Sequence, residues 1–200
     1  MKYAKTILLS VGITFLMGCA HFKPQPSFKY IPWQERQAKM KKNKSCVING
    51  KLSITHNKKR DIASFAWQQN QNNYIINISG PLNLNSVKIT GTANQVEFCQ
   101  SGQACLRAKS SEQLFFNQFG WRLPISNMRY WILALPAPAK MEAAKFDQYG
   151  HLVVFKQQGW EIGYSDFQSV NNVDLPNIIA LQNKKFFIKL KIKEYSLCSN

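Results

Sequence analysis

Long apolar runs are missing from this chain of 200 residues. No stretch approaches the roughly 18 consecutive apolar residues of a lasting transmembrane helix, which excludes a protein threaded through a bilayer by helices. Acidic residues are scarce, with Asp+Glu 10 against Lys+Arg 26, and no two acids form an evident catalytic pair; Asp147 and Asp166 sit near turn sequences, where acids are more often structural. The three histidines, His21, His56 and His151, are scattered, and no Cys-x-x-Cys occurs, so no metal site is expected. Phosphate-binding glycine loops and the nucleophile elbow of hydrolases are absent too. No catalytic residues are assigned, and an enzyme is not expected. What is present is a formal charge of +16 with 45% hydrophobic and 12% aromatic residues, the make-up of one globular domain with short appendages.

The first residues have the shape of an export signal. Lys2 and Lys5 form a positive start, Ile7 to Met17 a short apolar stretch, and Gly18 a small residue before Cys19. Leu16-Met17-Gly18-Cys19 resembles the lipobox of bacterial lipoproteins, although Met17 stands where a small or branched residue is usual. That resemblance implies cleavage before Cys19 and a diacylglycerol plus a fatty acid on its sulfur and new amino terminus. No other cofactor is expected. Ala20, rather than Asp, follows the cysteine, which by bacterial sorting rules favours the outer membrane. Removing residues 1–18 takes two lysines and lowers the charge from +16 to +14. An exported protein meets little nucleic acid, so phospholipid headgroups are the expected counter-charge. The chain therefore divides into a signal peptide (1–18), a lipid anchor and proline-bearing tether (19–32) and a folded domain (33–200).

With Cys19 lipidated, Cys46, Cys99, Cys105 and Cys198 remain in an oxidising compartment. Four cysteines allow three pairings. Cys99 and Cys105 bracket Gln-Ser-Gly-Gln-Ala, a turn that would bring their sulfurs together, and a bridge between them is expected. Cys46 and Cys198 can meet only if the first and last strands are neighbours.

Trp33 to about Lys44 reads as a helix with Trp33, Gln37 and Met40 on one side. The hydrophobic period then becomes two, at Ile48–Ile54, Ala63–Trp67, Tyr74–Ile78, Val87–Ile89 and Val96–Phe98, and again at Trp160–Tyr164 and Phe186–Ile192, while Leu152–Phe155 and Ile178–Leu181 read as two further strands. Between these blocks lie two short helices. One opens on the capping-box pair Ser110 and Gln113 and ends at Gly120; the other has Ser126 as its expected N-cap and ends before Pro136. Nine to eleven strands with three helices predict a mainly β fold: an unclosed antiparallel barrel with helices covering one opening.

Several segments together carry a family resemblance: the lipobox, Ala63-Ser64-Phe65-Ala66-Trp67-Gln68, Gly80-Pro81-Leu82, Gly120-Trp121-Arg122-Leu123-Pro124, Tyr130 to Pro138, Gln158-Gly159-Trp160-Glu161-Ile162, Leu175-Pro176 and a basic last strand. The chain resembles the LolB family of outer-membrane lipoprotein receptors over roughly residues 33–195. The resemblance implies a helical lid over an apolar cavity and acceptance of acylated lipoproteins from the periplasmic carrier LolA. It also implies insertion of that cargo into the outer membrane, helped by Leu82 on a protruding loop. A monomer lipid-anchored on the periplasmic face is expected. Phe65, Trp67, Phe115, Trp131, Ile132 and Trp160 are the candidates to line the cavity. The alternatives are a general lipid-binding lipoprotein and a structural envelope lipoprotein with a packed interior. Ala134 stands where the family commonly has Gly.

Overall fold

A computed structural model describes residues 27–43, 45–81 and 86–198, the last without its side chain. Helix α1 (Trp33–Lys42) leads into β1 (Ser45–His56), β2 (Lys59–Asn70), β3 (Asn73–Ser79), β4 (Val87–Gly91), β5 (Val96–Gln100) and β6 (Leu106–Ala108). Helices α2 (Ser111–Phe119) and α3 (Ile125–Trp131) follow. The chain closes with β7 (Glu142–Phe146), β8 (Leu152–Gln157), β9 (Trp160–Val170), β10 (Val173–Gln182) and β11 (Phe186–Cys198). All eleven strands form one antiparallel sheet in the order β6-β5-β4-β3-β2-β1-β11-β10-β9-β8-β7. The first and last strands pair at its centre, and β6 and β7 are its two edges, so the barrel is unclosed.

Alternation decides which face is inside. Ile48, Phe65, Trp67, Ile76, Ile89, Phe98, Ile162, Ile179 and Ile188 are all buried on one face of the sheet. The register of β1 against β11 slips between Asn49 and Gly50, a bulge that bends the central pair. Gly50 is required there, because a Cβ would strike the Lys191 carbonyl and lie 2.9 Å from the Phe65 ring. Edge strands β6 and β7 have no buried residue, which is why hydrophobic alternation does not reveal them.

Helix α2 is capped as its sequence suggests. Ser110 accepts from the Gln113 N–H at 3.2 Å, and Gly120 ends the helix in the left-handed region at φ 70°. Helix α3 departs from expectation. Its N-cap is Pro124, and Ser126 lies inside the first turn, donating to Glu112 Oε2 at 3.0 Å. The hydroxyl joins the two helices instead of capping one.

Helix α1 is held by a buried charge that its apolar stripe does not reveal. Arg36 is 5% exposed and donates to Asp174 Oδ2 at 2.6 Å, to the Ile31 and Lys29 carbonyls, and to the Tyr149 carbonyl at 2.9 Å. His151, buried and stacked on Phe167, bridges the same Asp174 oxygen at 3.1 Å and Asp147 at 2.7 Å. Burial works to raise the Asp174 pKa, but the hydrogen bonds from Arg36 and His151 outweigh it and hold the carboxyl below its usual value. Ionised Asp174 therefore contributes stability above the unfolded carboxyl pKa near ~3.9, and that contribution is lost as the pH falls through the lower folded value. Asp174→Asn leaves Arg36 buried without a counter-charge. The expected cost is about 3 kcal/mol, a melting point lower by roughly 6–12 °C at neutral pH. Thermal melts should show that deficit shrinking as the pH falls below the unfolded carboxyl value of about 3.9, because the parent protein then loses the same interaction.

Candidate functional site

Inward residues of five strands, β1, β2, β3, β4 and β11, and both lid helices surround a cavity of about 90 Å³. Phe65 and Trp67 of β2 form one wall, with Ile76 of β3 and Ile188 of β11 beside them, while Phe115 of α2 and Ile132 just after α3 close it from above. Every wall surface is apolar. Water gains no hydrogen bonds in such a space, and a dry apolar cavity favours an apolar guest. The volume is below the ~150 Å³ of a cavity that holds one benzene, so an acyl chain enters only if the lid moves.

Of the six cavity candidates, Phe65, Trp67, Phe115 and Ile132 line this space, and Trp131 and Trp160 do not. Trp131 is fully buried, but its indole N–H donates to Gln157 Oε1 at 2.8 Å and its carbonyl accepts from the Tyr164 hydroxyl at 2.8 Å. An indole must place its N–H on a partner when buried, and the partner lies behind the cavity on β8. Burial pushes the Tyr164 hydroxyl well above the ordinary phenol value, so it remains a donor. Trp160 packs near Phe186 at the end of the sheet, with ring centroids 6.4 Å apart.

Sequence reasoning passed over Gln157, a polar side chain 2% exposed in an apolar strand. Its amide takes the Trp131 N–H and the Ala137 N–H, and gives its own hydrogens to the Ala137 and Ala139 carbonyls. One residue thus fastens the C-terminal end of α3 to the sheet. Ala134 completes that turn at φ 54°, in the left-handed region where glycine is favoured. The N-terminal side of the lid is held differently. Glu112 on α2 accepts from the Ser126 N–H at 3.2 Å and from the Ser126 hydroxyl, while Phe98, Phe115 and Phe119 pack ring on ring. α2 and α3 are therefore tied to each other, and α3 is fastened to the sheet at Trp131 through Gln157, at Arg129 through the Asn72 carbonyl and at Asn127 through Gln158.

The family model described as outer membrane lipoprotein LolB matches residues 44–195. A protein from Coxiella burnetii named outer-membrane lipoprotein LolB is 34% identical over 193 residues, 94% of this chain and 91% of that one. The chain belongs to the LolB family. A second relative of that name, from Nitrosococcus oceani, is 31% identical over 98% of this chain and 100% of its own length. Among solved structures, a LolA superfamily protein from Nitrosomonas europaea superposes with a TM-score of 0.55 at 11% identity, covering 85% of this chain and 95% of that one. A lipoprotein-sorting protein domain from Vibrio parahaemolyticus superposes at 0.54 and 7% identity, over 84% of this chain and 91% of that one. These two likenesses bear out the fold, an open antiparallel barrel with short helices. No described helix is long and apolar enough to cross a membrane, and the family is one of outer-membrane lipoproteins.

Two residues important to the LolB-family reading, Cys19 and Leu82, lie outside the described residues, as do the signal peptide and most of the tether. The ends of the Leu82 connection are placed. Ser79 pairs with Ser64, and the Ser86 carbonyl accepts from Ser101 N–H at 3.0 Å. Register then puts that connection at the same end of the barrel as the β1–β2 and β10–β11 turns, and away from the tether. The Cys99–Cys105 bridge forms as expected, with Cα atoms 4.3 Å apart, and staples edge strand β6 to β5. Replacing both cysteines by serine should cost about 2–3 kcal/mol, read as a lower denaturation midpoint that matches the parent protein under reducing conditions. Cys46 stands opposite Leu197 and Ser45 opposite Cys198, so the first and last strands do adjoin, although the Cys198 side chain is outside the description.

Proposed function

We propose that this protein is the outer-membrane receptor that takes acylated lipoproteins from the periplasmic carrier LolA and inserts them into the outer membrane. The observation that carries the reading is the wholly apolar cavity beneath the helical lid. A scaffold with a packed interior has no use for such a space. Burying one methylene is worth about 0.8 kcal/mol, so each long acyl chain carries on the order of 10 kcal/mol. A receptor that works without ATP must bind acyl chains better than the carrier and less well than a bilayer. The small resting cavity suits that intermediate place, because part of the acyl-binding energy is spent in parting α2 and α3 from Phe65, Trp67 and their neighbours. The diacylglycerol and fatty acid on Cys19 set where the protein works, and the cavity sets what it accepts.

Trp67 lines the cavity and Trp131 and Trp160 do not, which gives a direct test. An acylated peptide carrying bromine on its chain should quench part of the tryptophan emission. In Trp67→Phe most of that quenching should vanish while binding persists. Undiminished quenching in the variant would place the acyl chain somewhere else.

A further inference from the structure

On its outer face the sheet sets like charges side by side. Lys51 of β1 stands directly opposite Lys191 of β11, and Lys189 follows on the same face of β11, opposite Ser53. Cross-strand cations repel and weaken a sheet. No acid relieves them in these rows. Asp61 pairs with Ile54 and therefore projects on the other face, and Glu194 lies beyond the bulge, with Asn49 as its hydrogen-bond partner. One row nearer the end of the barrel, Arg60 shares the outer face with Thr55 and Phe187. The two turns at that end add Lys58 with Lys59, and Lys184 with Lys185, all exposed. None of these cations forms an ion pair among the described residues, where six such pairs occur elsewhere. Two large apolar side chains stand out among them: Ile62, 54% exposed, and Phe187, 40% exposed.

We propose that this basic face, the outer side of β11–β1–β2 with the two turns at its end, docks on an anionic phospholipid surface. Repulsion kept in the folded state points to a partner that supplies the missing negative charge. Single apolar side chains set among lysines match a headgroup layer with hydrocarbon just beneath it, and long lysines keep their ammonium groups at phosphate depth while their stems cover apolar surface. The face lies at the end of the barrel where β3 ends. The orientation also suits the tether, a point that rests on the anchor proposed above. Phe28 packs on Tyr149 and His151 at the opposite end. Nine residues from Cys19 span at most about 30 Å, and the ten residues of β10 that separate the two ends measure about 33 Å. Both attachments fit one bilayer when the domain leans onto its outer face, which is where Lys189 and Lys191 stand.

The test uses the mature lipidated protein in vesicles of phosphatidylcholine alone or with phosphatidylglycerol, followed by brief lysine acetylation and mass spectrometry. Labelling of Lys184, Lys185, Lys189 and Lys191 should slow several-fold in the anionic vesicles, with Lys41 and Lys42 of α1 unchanged. At about 1 M salt, where the Debye length is about 3 Å, the protection should disappear. Each basic residue at an anionic surface is worth roughly fivefold in binding, so Lys184→Gln with Lys185→Gln should return Lys189 to its neutral-vesicle labelling while the melting curve stays in place. Equal labelling in the two vesicles overturns the proposal. So does protection spread equally to Lys41 and Lys42, or protection that requires an added acidic carrier protein. Flotation with the neutral vesicles reports the lipid anchor separately, so loss of that reading is distinguished from loss of this one.

Discussion

Leu82→Glu should leave receipt of cargo intact and stop its delivery. The cavity is walled by β1, β2, β3, β4, β11 and the lid, and Leu82 belongs to the connection between β3 and β4. The described lining residues of the cavity are all left in place by a substitution there. Turn tips are normally polar, and Gly80-Pro81-Leu82-Asn83-Leu84 places two leucines in one. A leucine that enters the bilayer gains about 2 kcal/mol from burial, and a glutamate forfeits this while adding the cost of a charge near hydrocarbon. Delivery to liposomes should therefore slow by roughly thirtyfold or more, since each 1.4 kcal/mol is about a factor of ten. Both steps can be followed in one reaction, beside a melting curve. Unchanged delivery would make Leu82 an ordinary core-facing leucine. Joint loss of receipt, delivery and the folded signal would mean only that the fold had been damaged.

Cys19→Ala should have the largest effect in the cell. Without its acyl chains the protein keeps only the proposed basic face and one leucine for a membrane, and the electrostatic attraction weakens with salt, unlike the burial of long hydrocarbon chains. Fractionation should find an uncleaved precursor, or a protein released into the periplasm. The released domain should still accept acylated cargo, because Phe65, Trp67, Phe115 and Ile132 are untouched by the change. Normally processed Cys19→Ala protein in the outer membrane would reject the lipobox reading.

How legible each feature was depends on whether local pattern or tertiary context decides it. The long strands show in the sequence because one face is apolar along their length, as at Ile48–Ile54 and Phe186–Ile192. The edges β6 and β7 do not, because a strand with no buried residue has no alternation to show. The Cys99–Cys105 bridge was legible because both sulfurs belong to one hairpin. Phe65 and Trp67 were legible as cavity wall for a similar reason, lying two residues apart on an inward face. Trp131 and Trp160 looked equivalent to them, but the direction of a tryptophan depends on where its N–H finds an acceptor, and Gln157 is 26 residues from Trp131 in the chain. Arg36 and His151 were illegible for the same cause. A buried charge has no sequence pattern of its own, since Asp174 meets Arg36 from 138 residues away. Ser126 is the cap expected from the sequence, yet Glu112 of the neighbouring helix accepts its hydroxyl.

The direct measurement is transfer of an acylated lipoprotein from its purified LolA complex to this protein in solution, with the same lipoprotein lacking its acyl chains as the control. The account predicts that the acylated cargo leaves the carrier and co-purifies with this protein without ATP, and that the deacylated form never associates. Cargo that stays on the carrier, or equal association of the acylated and deacylated forms, would contradict it.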